Sequence, residues 1–240
     1  MPRLLRLALA ASLALVLLAW AAAFGLSRGW WRMNHPSAAR FPVWGIDVSH
    51  HQGHIDWPAV AATPHVKFAY LKATEGADWS DPLFRENYVS ARRAGLRAGA
   101  YHFFTFCRSG AEQARNFLAR APRDADAMPP AVDLELGGNC EHPPDRLAIR
   151  ASLVLFLRAV EAELGRPPIV YVTREAYEAF LDGAELPNRI WIRDVWTEPA
   201  PLGAQRWTLW QFANRGHVHG IRGPVDLDLF SGSAADFGQL

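Results

Sequence analysis

The sequence predicts an α/β fold: a modified TIM-like (β/α) barrel of eight strands, with helices mainly in the first five units. Two observations predict it. Apolar strand-like runs alternate with amphipathic stretches through most of the chain, the pattern of βαβ units and a parallel sheet. The last three runs are separated by only about ten residues each, which is short for a helical crossover. A third observation says which end of the barrel matters: acidic residues fall at the ends of several of these runs.

The first element precedes the barrel. Arg3 and Arg6 lead into residues 7–24, a run of Leu, Ala, Val and Trp. At about 1.5 Å per residue this run reaches roughly 27 Å as a helix, close to the hydrocarbon thickness of a bilayer. Arg28, Trp30, Trp31 and Arg32 follow, a mixture suited to a membrane interface. Two readings stay open. An uncleaved anchor fits the length, and a signal peptide cut near Ala21-Ala22-Ala23 fits the small residues. Either exports the remainder. The chain therefore divides into an anchor or signal peptide (1–28), a polar linker (29–40) and the barrel (41–240).

Within the barrel, strands are predicted over 43–48, 66–73, 97–104, 130–135 and 168–172. Helices are predicted over 82–94, 110–119, 144–164 and 174–181. The longest helix carries Leu147, Leu153, Leu157, Val160 and Leu164 at helical spacing and stops at Gly165. The final strands, 189–192, 207–212 and 225–230, lack full helices between them, and one of them is free to run antiparallel.

Net charge is +1, which leaves no electrostatic footprint for nucleic acid. The ten Trp residues serve equally as core filler or as flat platforms for sugars. Cys107 and Cys140 each follow a predicted strand. If those strands are parallel neighbours, both cysteines lie at the same barrel end, and a disulfide is expected in an oxidising compartment. Two free buried thiols are the alternative.

Barrel chemistry sits at the C-terminal ends of strands. The first strand ends on Asp47, the fourth on Asp133 and Glu135, and the last carries Asp226 and Asp228. Positions i and i+2 of a strand share a face, so Asp133 and Glu135 enter one site. Two close carboxylates in a partly dry pocket cannot both ionise freely, so one stays protonated. An acid beside an ionised partner is the combination that glycosidic cleavage needs. A lone Asp at a strand end is as readily a helix cap. The pair is what favours chemistry.

Further motifs agree. Gly45-Ile46-Asp47-Val48-Ser49-His50-His51-Gln52-Gly53 precedes Ile55-Asp56-Trp57. Lys72-Ala73-Thr74-Glu75-Gly76, Gly99-Ala100-Tyr101-His102-Phe103 and Pro130-Ala131-Val132-Asp133-Leu134-Glu135 follow. Trp210-Gln211-Phe212 and Gly220-Ile221-Arg222-Gly223-Pro224-Val225-Asp226 complete the set. In this order and spacing the chain resembles the glycoside hydrolase family 25 lysozymes, the Chalaropsis-type muramidases, from about Phe41 to Phe230. The resemblance implies hydrolysis of the β-1,4 bond between N-acetylmuramic acid and N-acetylglucosamine in peptidoglycan. It implies Glu135 as general acid, Asp133 as its neighbouring carboxylate, and Asp47 and Asp226 as the other acids of the cleft. It implies Tyr101 in the substrate groove and no metal or cofactor. Asp133 is either a nucleophile or the partner of the substrate's own 2-acetamido group, and an N-acetylated sugar favours the second.

One departure concerns the sixth strand, where many relatives carry Trp-Ile-Ala. This chain has Trp191-Ile192-Arg193, which sets a bulky cation near the cleft rim. Glu75 is expected either to touch sugar hydroxyls or to pair with Lys72. Trp210 and Gln211 are expected in the groove, and Trp191 in the core. A metal held by His50, His51 and His54 fits no common spacing. The expected protein is an exported monomer acting on peptidoglycan glycan strands, with a membrane contact through residues 7–24. Two rival functions remain: a catalytically silent peptidoglycan-binding module, and a metal-dependent deacetylase using the histidines.

Overall fold

The computed structural model describes residues 3–27, 34–184, 186–203 and 205–240. The apolar N-terminal run forms α1 (Arg3–Ser27). Its stretch Leu7–Leu26, of mean hydropathy 2.4, is long and apolar enough to cross a membrane by length and composition. Arg28, Trp30, Trp31 and Arg32, read as an interfacial group, lie outside the described residues.

The barrel follows in chain order. β1 (Trp44–Val48) leads through a 3-10 turn to α2 (Trp57–Ala61) and β2 (Val66–Glu75). The short β3 (Trp79–Ser80) folds back on β2, and α3 (Phe84–Arg93), β4 (Arg97–Phe103) and α4 (Gly110–Leu118) come next. β5 (Ala131–Leu134), α5 (Arg146–Leu164), β6 (Ile169–Thr173) and α6 (Arg174–Ala176), continued by a π-turn (Tyr177–Leu181), complete the helix-bearing part. β7 (Ile190–Arg193), β8 (Trp207–Gly216), β9 (Val225–Phe230) and a final short α7 (Ala234–Phe237) close the chain.

The strand order is β1-β9-β8-β7-β6-β5-β4-β2, and β2 pairs with β1 to close an eight-stranded barrel. All eight expected strands form, and β3 is an additional edge hairpin. β9 runs antiparallel to both β8 and β1. The connection over 217–224 is short enough for a hairpin and too short for a crossover. β7 and β8 remain parallel, joined by a crossover with no helix among the described residues.

Local chemistry explains the helices. Asp145 caps α5 by accepting from the Ala148 amide at 2.9 Å, and Gly165 ends it in the left-handed region at φ 68°. Its buried face is Ile149, Leu153, Phe156, Leu157 and Val160. Leu147, counted with that stripe from spacing alone, stands 71% exposed. It lies in the first turn, where Ile149 already fills the inward position.

Period-two alternation sorts the barrel side chains. Phe68, Tyr70, Ile169, Tyr171, Trp191, Leu209 and Phe230 pack together inside. Ile46, Leu71, Leu134, Ile192, Trp210 and Phe212 belong to the outer layer. Interior space is tight: a Cβ at Gly99 would come 2.4 Å from the Tyr70 ring. The outer layer of β2 to β6 is covered by α3, α4 and α5. The outer layer of β7 to β1 is covered by an aromatic group, in which Phe41 meets Trp207 at 6.0 Å and Trp210 at 6.2 Å. Trp44 meets Phe212 there at 5.0 Å. Residues 34–40, expected as a polar linker, touch the same wall. Asn34 Nδ2 donates to the Asp194 carbonyl at 3.4 Å, and Arg40 makes two bonds to Glu198 at 2.6 and 2.7 Å.

Cys107 and Cys140 form a disulfide across 33 positions, with their Cα atoms 6.1 Å apart. It joins the loops after β4 and β5. Asn139 adds four bonds there, accepting from the Phe106 and Cys140 amides and donating to the Phe104 and Glu135 carbonyls. The loop that follows Glu135 is therefore fixed from both sides.

Candidate active site

Interior-facing positions at one end of the barrel open into a cleft of about 490 Å³. Asp47 enters from β1, Lys72 and Glu75 from β2, and Tyr101 and Phe103 from β4. Asp133 enters from β5, with Glu135 just beyond it, and Tyr171 from β6. Trp191 and Arg193 enter from β7, Gln211 from β8 and Asp226 from β9. The four expected acids are thus brought to one cavity. Asp226 reaches it because β9 is antiparallel: the start of β9 lies at the end where β1 finishes, and Asp226 pairs directly with Asp47.

The acids form two groups. Asp47, Asp226 and Asp228 lie together on β1 and β9, and Gln211 Nε2 donates to Asp47 Oδ2 at 2.8 Å. Tyr171 fixes that amide by donating its hydroxyl to Gln211 Oε1 at 3.1 Å. Trp191 Nε1 donates to Asp228 Oδ1 at 2.9 Å, while Asp228 Oδ2 is buried without a hydrogen-bond partner. Burial pushes Asp47 up to about 6, against the hydrogen bond from Gln211. Burial, then the charge of Asp47, holds Asp226 and Asp228 well above the usual carboxylate range. This trio retains protons at pH values where free aspartate has lost them.

The second group is Asp133 with Glu135. Burial, and next the charge of Glu135, raises Asp133 well above its ordinary value. Its Oδ1 is buried and unpartnered. Burial also raises Glu135, but Arg193 and Lys72 oppose the shift. Arg193 Nη1 stands 3.6 Å from Glu135 Oε2, and 22% of the Glu135 side chain is exposed. Burial thus raises both carboxyls, and the more deeply buried Asp133 stands well above its ordinary value.

Lys72 and Glu75 form an ion pair at 2.6 Å, with the lysine nitrogen over the Phe103 ring at 4.7 Å. Glu75 also lines the cleft. Trp210 does not enter the groove. Gln211 faces inward, so its neighbour must face outward, and Trp210 donates Nε1 to the Asp194 carbonyl at 2.7 Å in the outer layer. Trp191 is buried as expected, yet its indole also lines the cleft floor between Tyr70 and Tyr171, with centroids 4.9 and 5.1 Å away. Tyr171 was missed, and Asp228, noted on the last strand, was not carried into the site. The signal for Asp228 was present, two residues from Asp226 on the same face. His50 is engaged by Asp81 at 3.0 Å, and among the described residues no group of three His, Cys, Asp or Glu is arranged to hold a metal.

A barrel that brings Asp47, Asp133, Glu135 and Asp226 to one cleft at its mouth has the carboxyl set that glycoside hydrolases use. More narrowly, the chain belongs to the glycosyl hydrolases family 25, whose model matches residues 46–221. It is 34% identical over 205 residues to Lysozyme M1 of Streptomyces globisporus, covering 80% of this chain and 69% of that protein. It is 33% identical over 202 residues to YegX of Escherichia coli, an uncharacterised protein, covering 82% and 73%. A family 25 glycosyl hydrolase structure from Bacillus anthracis superposes with a TM-score of 0.81 at 35% identity, covering 87% of this chain and 97% of that one. A bacterial lysozyme structure from Streptomyces coelicolor gives 0.74 at 34% identity, covering 82% and 96%.

Proposed function

We propose that the chain is an envelope muramidase that hydrolyses the β-1,4 bond between N-acetylmuramic acid and N-acetylglucosamine in peptidoglycan. The observation that carries this reading is the meeting of Asp47, Asp133, Glu135 and Asp226, from three strands, in one cleft of a family 25 barrel. Glu135 donates the proton to the leaving oxygen, since it is the carboxyl with both burial and access to solvent. Asp133 orients the 2-acetamido group of the substrate, whose oxygen attacks the anomeric carbon. A carboxyl that favours its neutral form is a weak nucleophile, which supports the substrate-assisted route over a covalent aspartyl intermediate. Asp47 and Asp226 hold the sugar and the incoming water. Helix α1 delivers the barrel beyond the cytoplasmic membrane as an anchor or a cleaved signal, and the barrel acts as a monomer.

The test is mass spectrometry of the soluble muropeptides that the full chain releases from purified peptidoglycan. Products with reducing N-acetylmuramic acid ends are expected. Glu135→Gln is expected to lower their rate of release by about 10²–10⁴-fold with an unchanged circular dichroism spectrum. Reducing N-acetylglucosamine ends, or full activity in that variant, would defeat the assignment. A fluorosugar that labels Asp133 covalently would rule out the acetamido route alone.

A further inference from the structure

The cleft carries more carboxyl groups than a neutral sugar requires. Asp47, Asp133, Glu135, Asp226 and Glu75 all reach it. These groups offer a carboxylate on the glycan strand no attraction, so a cation must meet it. Lys72 and Arg193 are the Lys and Arg side chains on the cleft wall. Lys72 is committed: Glu75 holds it at 2.6 Å, and only 11% of its side chain is exposed. Arg193 differs. Its distance of 3.6 Å from Glu135 is short enough for attraction and too long for a hydrogen bond, and 33% of its side chain is exposed. Its guanidinium offers five donors in a fixed fork that matches a carboxylate.

We propose that Arg193 is a carboxylate-reading residue of the cleft, which pairs with a carboxylate on the glycan strand and in doing so gives up its hold on Glu135. This rests on the muramidase reading. While the Arg193–Glu135 pair stands, the cation favours the ionised form of Glu135, which has no proton to donate. A substrate carboxylate on the same fork offsets the cation and allows Glu135 to protonate as the sugar binds. Peptidoglycan supplies carboxylates from two sources: the lactyl group of muramic acid in peptide-free strands, and the stem peptide in substituted ones. If the lactyl group is read, a reaction hydrolysing the amide between it and the stem must act first.

The experiment measures kcat/KM of the full chain by reducing-end release on three substrates. These are peptide-free strands, peptide-bearing strands, and peptide-free strands whose lactyl carboxylates have been converted to methylamides. Wild type is expected to favour the free carboxylate over the methylamide by about tenfold. Arg193→Gln is expected to bring that ratio near one, and Arg193→Lys to an intermediate value, with both melting near wild type. Should Arg193→Gln melt early, the ratio for Arg193→Lys decides. A preference for peptide-bearing strands over the methylamide that disappears with Arg193 assigns the stem as the source. Equal rates on all three substrates, or a full preference kept by the variants, would overturn the proposal. Release from none of the three by wild type would sink the muramidase reading instead.

Discussion

The two walls of the barrel solve the same packing problem in different ways. From β2 to β6 each strand is followed by a helix or helical turn, and the outer layer is aliphatic and phenyl side chains pressed against α4 and α5, with Phe156 fully buried. From β7 round to β1 the connections are short. There Phe41, Trp44, Trp207, Trp210 and Phe212 cover the strands, and residues 34–40 lie over them. A few large rings replace helices as the cover. The acids divide along the same line. Asp133 and Glu135 stand on the helix-bearing side, beside a loop fixed by the disulfide, where water reaches Glu135. Asp47, Asp226 and Asp228 stand on the paired strands β1 and β9, where burial holds all three toward their neutral forms. The side with longer loops carries the carboxyl that must exchange protons, and the compact side carries the carboxyls that stay put.

Three perturbations test that contrast. Trp210→Ala and Phe156→Ala remove the central ring of each cover, and each is expected to cost about 3–5 kcal/mol in urea unfolding. If the short-connection wall were supported mainly by its backbone, Trp210→Ala would cost far less than its counterpart. Reducing the disulfide is expected to cost about 3–4 kcal/mol by releasing a loop of 33 positions in the unfolded chain. Activity should fall further than stability, because the same loop follows Glu135. Loss of stability with activity intact would separate the loop from the site.

The smallest effect concerns the dry carboxyls. Asp47 has its folded value raised from 3.8 to about 6, so the folded state holds a proton that the unfolded state releases across that window. Stability is therefore greatest below about pH 4, declines as pH rises to about 6, and is flat above it. The difference is at most about 3 kcal/mol. Asp47→Asn keeps an acceptor for Gln211 and is expected to remove this decline, raising the melting temperature at pH 7 while lowering activity. An unchanged pH dependence of unfolding in Asp47→Asn would show that Asp226 and Asp228 carry the titration.

Much of this was legible in the residues. Asp133 and Glu135 could be placed together because a strand turns every second side chain to the same face. That rule also excluded Trp210 from any groove that Gln211 enters, and the sequence reading did not apply it there. Asp228 was open to the same argument from Asp226. The stop at Gly165 followed from local chemistry, because a cap is decided within a few residues.

Other features were settled only by the closed barrel. Asp226 belongs with Asp47 because β9 runs backwards, and the direction of a strand depends on which neighbours close the sheet. Arg193 tempers Glu135 across the gap between β7 and β5, a contact between residues 58 positions apart in sequence. The segment before Phe41 became part of the wall because the neighbouring crossovers left aromatic surface uncovered. Periodicity and capping are short-range and can be read along the chain. Electrostatic partners and the burial of surface depend on distances that exist only once the strands have met.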